Sequence, residues 1–433
     1  MTPSSAKRSH RPKSPRSAPA TRAPDARRTA VAALVRIDRD GAYANLVLPA
    51  ILGRSGLSTR DRAFASELVY GTTRHRRACD WFVDRFALGE LDSEVRAVLR
   101  MGAYQLKVLG TPPHAAVSAT VDAAPRKARG LVNAVLRKVS TAEDAWPSAA
   151  VRLSYPDWIV ERLVDDLGEQ QALGALASMN GAAPVTERAD GYVQDQASQW
   201  VADAVGARPG ERVLDLCAAP GGKATFLAGH VGPDGMAVAA DLRQGRVGLV
   251  ADNARSLGID PTRLAVVVAD GTRPPLADAS FDRVLVDAPC SGLGSLRRRA
   301  DARWRIDAEA PERLAELQLR LLSAAAPLVA PGGSLVYSVC TLTVAETTAV
   351  ADRFAAEHPR WSSSSEARTA PQGPPSQDKT TLPRPILDGA WRPWGSGSLV
   401  LPQAAGTDGM ALFTWQAPGR DQAAASEPLD ERS

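Results

Sequence analysis

Cysteine is scarce in this 433-residue chain: only Cys79, Cys217, Cys290 and Cys340. Four thiols over that length exclude a disulfide-built scaffold. No two of them have CxxC spacing, which excludes the usual structural zinc site, so no metal is expected. Long apolar runs are missing too. Nothing approaches the roughly 20 residues that cross a bilayer. The amino terminus lacks the apolar stretch of a signal peptide, and the expectation is a protein of a reducing cytoplasm, away from membranes. Two phosphate-binding patterns are absent. Counting back from Gly222-Lys223, a P-loop needs Gly at 217 and Ser or Thr at 224, where the chain has Cys217 and Ala224. GxGxxG does not occur either, which removes the usual dinucleotide fingerprint.

Excess positive charge is missing from the body of the chain, although the net charge is +4. The first 28 residues carry eight Lys/Arg and one acid, +7, leaving 44 basic and 47 acidic residues elsewhere, or −3. The basic character therefore belongs to a Pro/Ser/Arg tail (1–25) whose composition is that of a disordered segment. Such a tail attracts phosphate backbones or merely solubilises.

Helical periodicity runs from Ala26 to about residue 142. Ser58-Thr-Arg-Asp61 has the form of a capping box, and Val95, Val98, Leu99, Gly102, Ala103 and Leu106 keep a 3.6-residue period. This segment is read as an all-α domain able to hold its own core. A further helix around Trp158 and Leu163 belongs to a linking segment, 147–192. From 193 to 417 short apolar runs (213–216, 236–240, 264–269, 284–286, 334–337) alternate with helical stretches. That rhythm predicts an α/β domain with a doubly wound, mostly parallel sheet. In such sheets ligands bind beyond the carboxyl ends of the strands. The Ser/Pro-rich stretch 362–381 reads as a surface insertion and 418–433 as a disordered tail.

The strongest local signal is Val213-Leu-Asp-Leu-Cys-Ala-Ala-Pro-Gly-Gly-Lys223: a buried strand, a Gly-rich turn, then a helix start. Gly221 and Gly222 would let backbone approach a ligand closely, and Asp241, ending the next apolar run, is placed to bond a ribose diol. Asp215, Asp241, Asp270 and Asp287 fall at successive strand ends. Four acids there suit a ligand with a ribose diol and an ammonium group, such as S-adenosylmethionine, better than a phosphate; taken singly, each is an ordinary turn or cap residue. Cys290 follows the strand end that carries Asp287 and Cys340 the next strand end, so two thiols from adjacent strand ends converge on the same region. A free thiol needs its pKa lowered to act as a nucleophile at neutral pH.

CAAPGGK (217–223), DAPCSGLG (287–294) and YSVCT (337–341), in this order, resemble the RNA cytosine-5 methyltransferases, most closely the small-subunit ribosomal RNA methyltransferase B group. QDQASQ (194–199) and TDGM (407–410) match as well, and YGTTRHRR (70–77) with GLVNAVLRK (130–138) resembles that group's NusB-like RNA-binding domain. The resemblance implies a Rossmann-like S-adenosylmethionine-dependent methyltransferase fold behind a NusB-like domain, acting as a monomer on small-subunit ribosomal RNA. It implies cofactor contacts from Cys217, Ala218, Ala219, Pro220, Gly221, Gly222, Lys223, Asp241, Asp270 and Asp287. It makes Cys340 the nucleophile, Cys290 the residue that assists product release, and Asp287 a third catalytic group. The Ala288-Pro-Cys290 sequence argues against amino-methylating enzymes, which carry Pro-Pro-aromatic at this strand end. One departure stands out. Only eleven residues, Gly181–Gly191, separate the Pro156-Asp-Trp158 helix from the Gln-Asp segment, where the group has a stretch several times longer.

Arg297, Arg298, Arg299 and Arg303, with Trp304 among them, follow the fourth strand and are read as an RNA-facing basic loop with a stacking aromatic, against the alternative of a solvated charge run. Two other functional classes remain open. The shortened connector motivates a non-catalytic RNA-binding or ribosome-assembly protein that keeps the fold, and the strand end at Asp287 motivates a metal-dependent nucleotide hydrolase.

Overall fold

A computed structural model of the chain describes residues 25–363 and 390–419. Most of the basic leader, the insertion and the carboxyl-terminal tail lie outside these residues. Seven helices come first: α1 (Ala26–Arg39), α2 (Ala44–Gly53), α3 (Thr59–Arg74), α4 (Arg76–Asp84), α5 (Ser93–Lys107), α6 (Pro113–Ala123) and α7 (Arg129–Thr141). Ser58 caps α3 by accepting from the Asp61 N–H at 3.2 Å while its hydroxyl reaches the Asp61 carboxylate at 2.8 Å. The periodic apolar residues of α5 (Val95, Val98, Leu99) meet Leu34, Phe82 and Leu136 in a core of this segment's own.

Four helices lead onward: α8 (Ala149–Leu153), α9 (Asp157–Leu167), α10 (Glu169–Ser178) and α11 (Gln196–Ala204). The short stretch between α10 and α11 is fastened to the Gly-rich turn at 221–222. The buried Arg188 donates to the Gly222 carbonyl and to Gln194 and pairs with Asp190, its guanidinium 4.9 Å from the Tyr192 ring.

The sheet then forms from β1 (Arg212–Asp215), β2 (Met236–Asp241), β3 (Leu264–Val268), β4 (Phe281–Asp287) and β5 (Val329–Val339), all parallel in the order β3-β2-β1-β4-β5. Helices α12 (Gly222–His230), α13 (Gln244–Ser256), α14 (Ala310–Ala325) and α15 (Thr348–Glu357) cover it. Apolar residues alternate between its two faces. Leu214, Val284 and Val286 point into the core that includes α14, and Val213, Leu285 and Val336 into the core that includes α12. Burial on both faces explains why these strands read as continuous apolar runs. Beyond β5 the sheet turns antiparallel through β6 (Ser362–Ser363), β7 (Trp391–Trp394), β8 (Gly397–Val400), the short α16 (Pro402–Ala405) and β9 (Met410–Gln416), with β9 against β5. Ser362 and Ser363, the first residues of the expected insertion, are thus a strand. The order reverses between β1 and β4, and the carboxyl ends of those two strands and of β2 and β5 frame the site.

Candidate active site

A cavity of about 720 Å³ opens at those strand ends. Its wall includes Cys217, Ala219, Pro220 and Lys223 from the β1–α12 turn, Asp241 and Asp270 from β2 and β3, Asp287 and Cys290 from β4, and Cys340 from β5. The expected cofactor acids and both expected catalytic thiols therefore share one space. Gly221, Gly222 and Ala218 do not line it. The two glycines make room for protein, not ligand. Gly221 has φ +109°, and a Cβ there would lie 3.0 Å from the Val250 Cα; a Cβ on Gly222 would lie 2.9 Å from the Tyr192 ring. The close approach legible in the sequence is real, but its partners are α13 and the segment before α11.

The turn is held from several sides. The Ala219 N–H reaches the Asp241 carboxylate at 3.3 Å, Arg246 donates to the Ala219 carbonyl at 2.7 Å, and Asn253 to the Pro220 carbonyl at 2.8 Å. Asp241 itself accepts from the Arg243 N–H at 3.2 Å, and Asp270 closes a tight turn on Thr272. Lys223 sits in the first turn of α12, where a cation opposes the helix dipole. Its ammonium meets Asp287 at 2.7 Å. Burial works against that charge, but Asp287 and then Asp215 more than restore it, and the lysine titrates above its ordinary range. The lysine is thus spent on a carboxylate and is not free to cradle phosphate. Asp287 also accepts from the Ser338 hydroxyl at 2.6 Å. Asp215 departs from the sequence reading. It is buried behind this pair, outside the cavity wall, with one carboxylate oxygen unpartnered; burial, then Asp287, pushes its pKa up to about 7.

The sulfurs of Cys290 and Cys340 are 3.4 Å apart. Their environments differ in sign. The hydrogen bond from Cys290 lowers the Cys340 pKa, and Arg299 and the Ser295 hydroxyl 3.6 Å away add to that effect against burial. Cys290 is raised by the same contact, by burial, and by Cys340, Glu346 and Asp287. Cys217 is pushed up by burial and by Asp215, Asp287 and Asp241, and Cys79 by burial within the helical core. Among the four thiols, only Cys340 is moved toward the thiolate. This supplies the pKa shift that the sequence alone could not show.

The basic stretch is corrected in part. Arg297 is buried and bound to Asp408 at 3.0 Å with Asp195 3.7 Å away. Arg303 is fully buried. It donates to Asn180 at 2.8 Å and to the Ser154 and Arg74 carbonyls, with the Tyr155 ring 3.9 Å beneath it. The Trp304 indole donates to the Thr73 carbonyl at 2.7 Å. Arg303 and Trp304 sit at the seam between the helical segment and the sheet, the Arg297 carbonyl accepts from Arg74 there, and burial takes the Arg297 and Arg303 side chains away from any RNA-facing surface. The Arg297 guanidinium and the Trp304 indole have partners inside the protein, while Arg303 is held through one nitrogen, its Nε and Nη2 having no hydrogen-bond partner. Arg298 bridges Asp195 and Asp408 at the cavity wall, and Arg299 is exposed there. The sequence reading missed Asp195 and Asp408 as the clamp for Arg297 and Arg298. It also missed Glu346, a lone acid in the Thr-rich run after Cys340.

A doubly wound sheet with acids at its strand ends and a glycine turn that cradles no phosphate defines an S-adenosylmethionine-dependent methyltransferase. Among known families, residues 202–413 match the 16S rRNA methyltransferase RsmB/F model, and residues 24–141 match the NusB family. The chain is 38% identical over 386 residues to the ribosomal RNA small subunit methyltransferase B of Thermus thermophilus, covering 82% of this chain and 92% of that protein. It is 33% identical over 417 residues to the probable ribosomal RNA small subunit methyltransferase B of Synechocystis, covering 80% and 93%. The crystal structure of PH0851 shares the fold at a TM-score of 0.68 and 19% identity, over 90% of this chain and 98% of that one. The chain belongs to the 16S rRNA methyltransferase RsmB/F family.

Proposed function

We propose that this protein methylates carbon 5 of a cytidine in small-subunit ribosomal RNA, with Cys340 as the attacking sulfur and S-adenosylmethionine as the donor. The cavity's donor set fits that cofactor. The Asp241 carboxylate suits a ribose diol, Asp270 keeps an oxygen free of its turn, and the apolar side chains of Leu242, Pro220 and Leu321 offer faces for a purine. The one lysine on the cavity wall, Lys223, is neutralised by Asp287, which disfavours a triphosphate. When bound, the cofactor supplies an electrophilic methyl group.

The residues of the chain perform the rest. Carbon 5 of cytosine is a poor nucleophile. Bond formation between the Cys340 sulfur and carbon 6 makes it electron-rich. Asp287, oriented by Lys223 and Ser338, is placed to bond the pyrimidine edge. After methylation the carbon 5 proton passes to a water-borne base, the electron pair it leaves restores the carbon 5–carbon 6 double bond, and the Cys340 sulfur departs; Cys290, which holds a proton beside that sulfur, is assigned the role of giving it to the departing thiolate. The target base must leave its stack to reach the pocket, least costly in a loop or single strand. The observation that carries the proposal is the 3.4 Å thiol pair on the wall that also holds Asp241 and Asp287. The test is incubation with a small-subunit RNA fragment containing 5-fluorocytidine, plus S-adenosylmethionine. A covalent protein–RNA adduct that survives denaturation is expected; no adduct with any small-subunit fragment would favour a non-catalytic RNA-binding role.

A further inference from the structure

Behind the thiol pair, out of reach of any ligand in the cavity, lies a carboxylate that the chemistry above does not use. Glu346 is fully buried. It accepts from the Ser291 N–H at 2.7 Å and the Ser291 hydroxyl at 2.5 Å, from Thr341 at 3.0 Å, from Thr343 at 3.1 Å and from the Gln318 amide at 3.2 Å. None of these five donors carries a charge. Gln318 also donates to the Pro289 carbonyl at 2.9 Å, and the Tyr337 hydroxyl lies 2.7 Å from the Glu346 carbonyl and 2.9 Å from Gln318. Ser291 follows Cys290 and Thr341 follows Cys340. One side chain thus ties together the two backbones that present the sulfurs and anchors both to α14.

Burying a carboxylate without a cation is costly: burial raises the Glu346 pKa, and the ring of donors, Ser291 first, works against that rise. If only loop closure were needed, a neutral amide could fill the place. Its oxygen would take the Ser291 N–H and Gln318, and its NH2, with two hydrogens, would donate to two of the three hydroxyls, keeping four of the five bonds. The carboxylate is bonded to the residue that follows each cysteine, Ser291 and Thr341, and its charge adds to what raises Cys290.

We propose that Glu346 is a positioning residue that fixes the two sulfurs against each other and keeps the proton on Cys290, so that Cys340 is the member of the pair free to attack. This rests on the reading of Cys340 as nucleophile. The groups facing Cys290 are Cys340, Glu346, Asp287 and Tyr337; those facing Cys340 are Cys290, Arg299, Asp287, Lys223 and Ser295.

The experiment compares wild type, Glu346→Gln, Glu346→Ala and Cys340→Ala in the full chain. It reads adduct formation with 5-fluorocytidine RNA, S-adenosylmethionine affinity, and the pH profile of thiol alkylation by iodoacetamide. Glu346→Ala should slow adduct formation at least about tenfold while cofactor affinity stays within about threefold. Glu346→Gln, which keeps four of the five bonds, should move the alkylation profile to lower pH, because a negative charge beside the thiols is gone. An unmoved profile in Glu346→Gln overturns the inference, as does a loss of cofactor affinity in Glu346→Ala equal to the loss of adduct. Should Glu346→Ala not fold, Glu346→Gln alone decides. Failure of wild type to form any adduct would instead remove the nucleophile reading, leaving the alkylation profiles to judge Glu346.

Discussion

Two of the regions in which this molecule buries a cation treat it differently. In the cavity Lys223 faces a carboxylate, Asp287, whose other oxygen takes only a hydroxyl. At the seam Arg303 faces no carboxylate at all: its partners are carbonyls, an amide oxygen and the Tyr155 ring, and its pKa falls to about 10 because burial outweighs them. The first arrangement keeps a charged pair at the edge of a space that a ligand enters. The second uses a charge as a bolt, held through one guanidinium nitrogen and the Tyr155 ring while Nε and Nη2 have no hydrogen-bond partner. A single stretch, Asp287 to Arg305, supplies both. It leaves β4 at the thiol pair and finishes on the helical segment, where Arg305 donates to the Gly41 carbonyl and Trp304 to Thr73. Damage at the cavity should therefore abolish chemistry while the fold stands. Damage at the seam should loosen the fold while the cofactor still binds.

The largest effect is expected at the cavity. Cys340→Ala should remove the adduct and lower methylation by at least about a thousandfold, with cofactor affinity and melting temperature close to wild type. Retention of the adduct would move the nucleophile to Cys290. Cys290→Ala is next. Adduct should form and then accumulate, with turnover falling about 10- to 100-fold, read by gel mobility of the protein–RNA species in denaturant. A variant that forms less adduct than wild type would deny Cys290 its role in release.

The same contrast shows what the sequence could and could not disclose. The strands were legible because burial on both faces leaves unbroken apolar runs such as Val284–Val286, and their order placed Asp241, Asp287, Cys290 and Cys340 at one edge. The arginine run was misread because a charge pattern says nothing of partners. Arg297 and Arg303 find theirs 111 and 123 residues away, at Asp408 and Asn180. Gly221 and Gly222 announced a close approach without saying to what. Glu346 was invisible for the opposite reason: among threonines near a strand end, an acid looks like an ordinary solvated residue, and only the fold brings Ser291 and Gln318 onto it.

At the seam, Arg303→Ala should cost about 2–4 kcal/mol, through the cavity it leaves and the acceptors it strands. It should appear as a lower denaturation midpoint with cofactor binding retained. Arg303→Met, which fills the volume without a charge, should recover about half of that loss. Equal losses in the two variants would mean that the polar contacts, not the packing, hold the seam.

The smallest expected effect tests the seam by pH. His75, between α3 and α4, is held down to about pKa 4 by burial and then by Arg303 and Arg74, with its ring 5.7 Å from that of Tyr104. The unfolded chain binds a proton near pH 6.5 that the folded one refuses, so this contribution is intact above pH 6.5 and drains away as the pH falls toward 4. By linkage the loss attributable to His75 at pH 5, relative to pH 8, is about 2 kcal/mol. His75→Phe keeps a ring against Tyr104 and removes the titration, so its stability should fall less steeply between pH 7 and 5 in denaturant melts. Parallel slopes for the two proteins would show that acid acts elsewhere, at the carboxylates of the cavity, and that the seam is indifferent to pH.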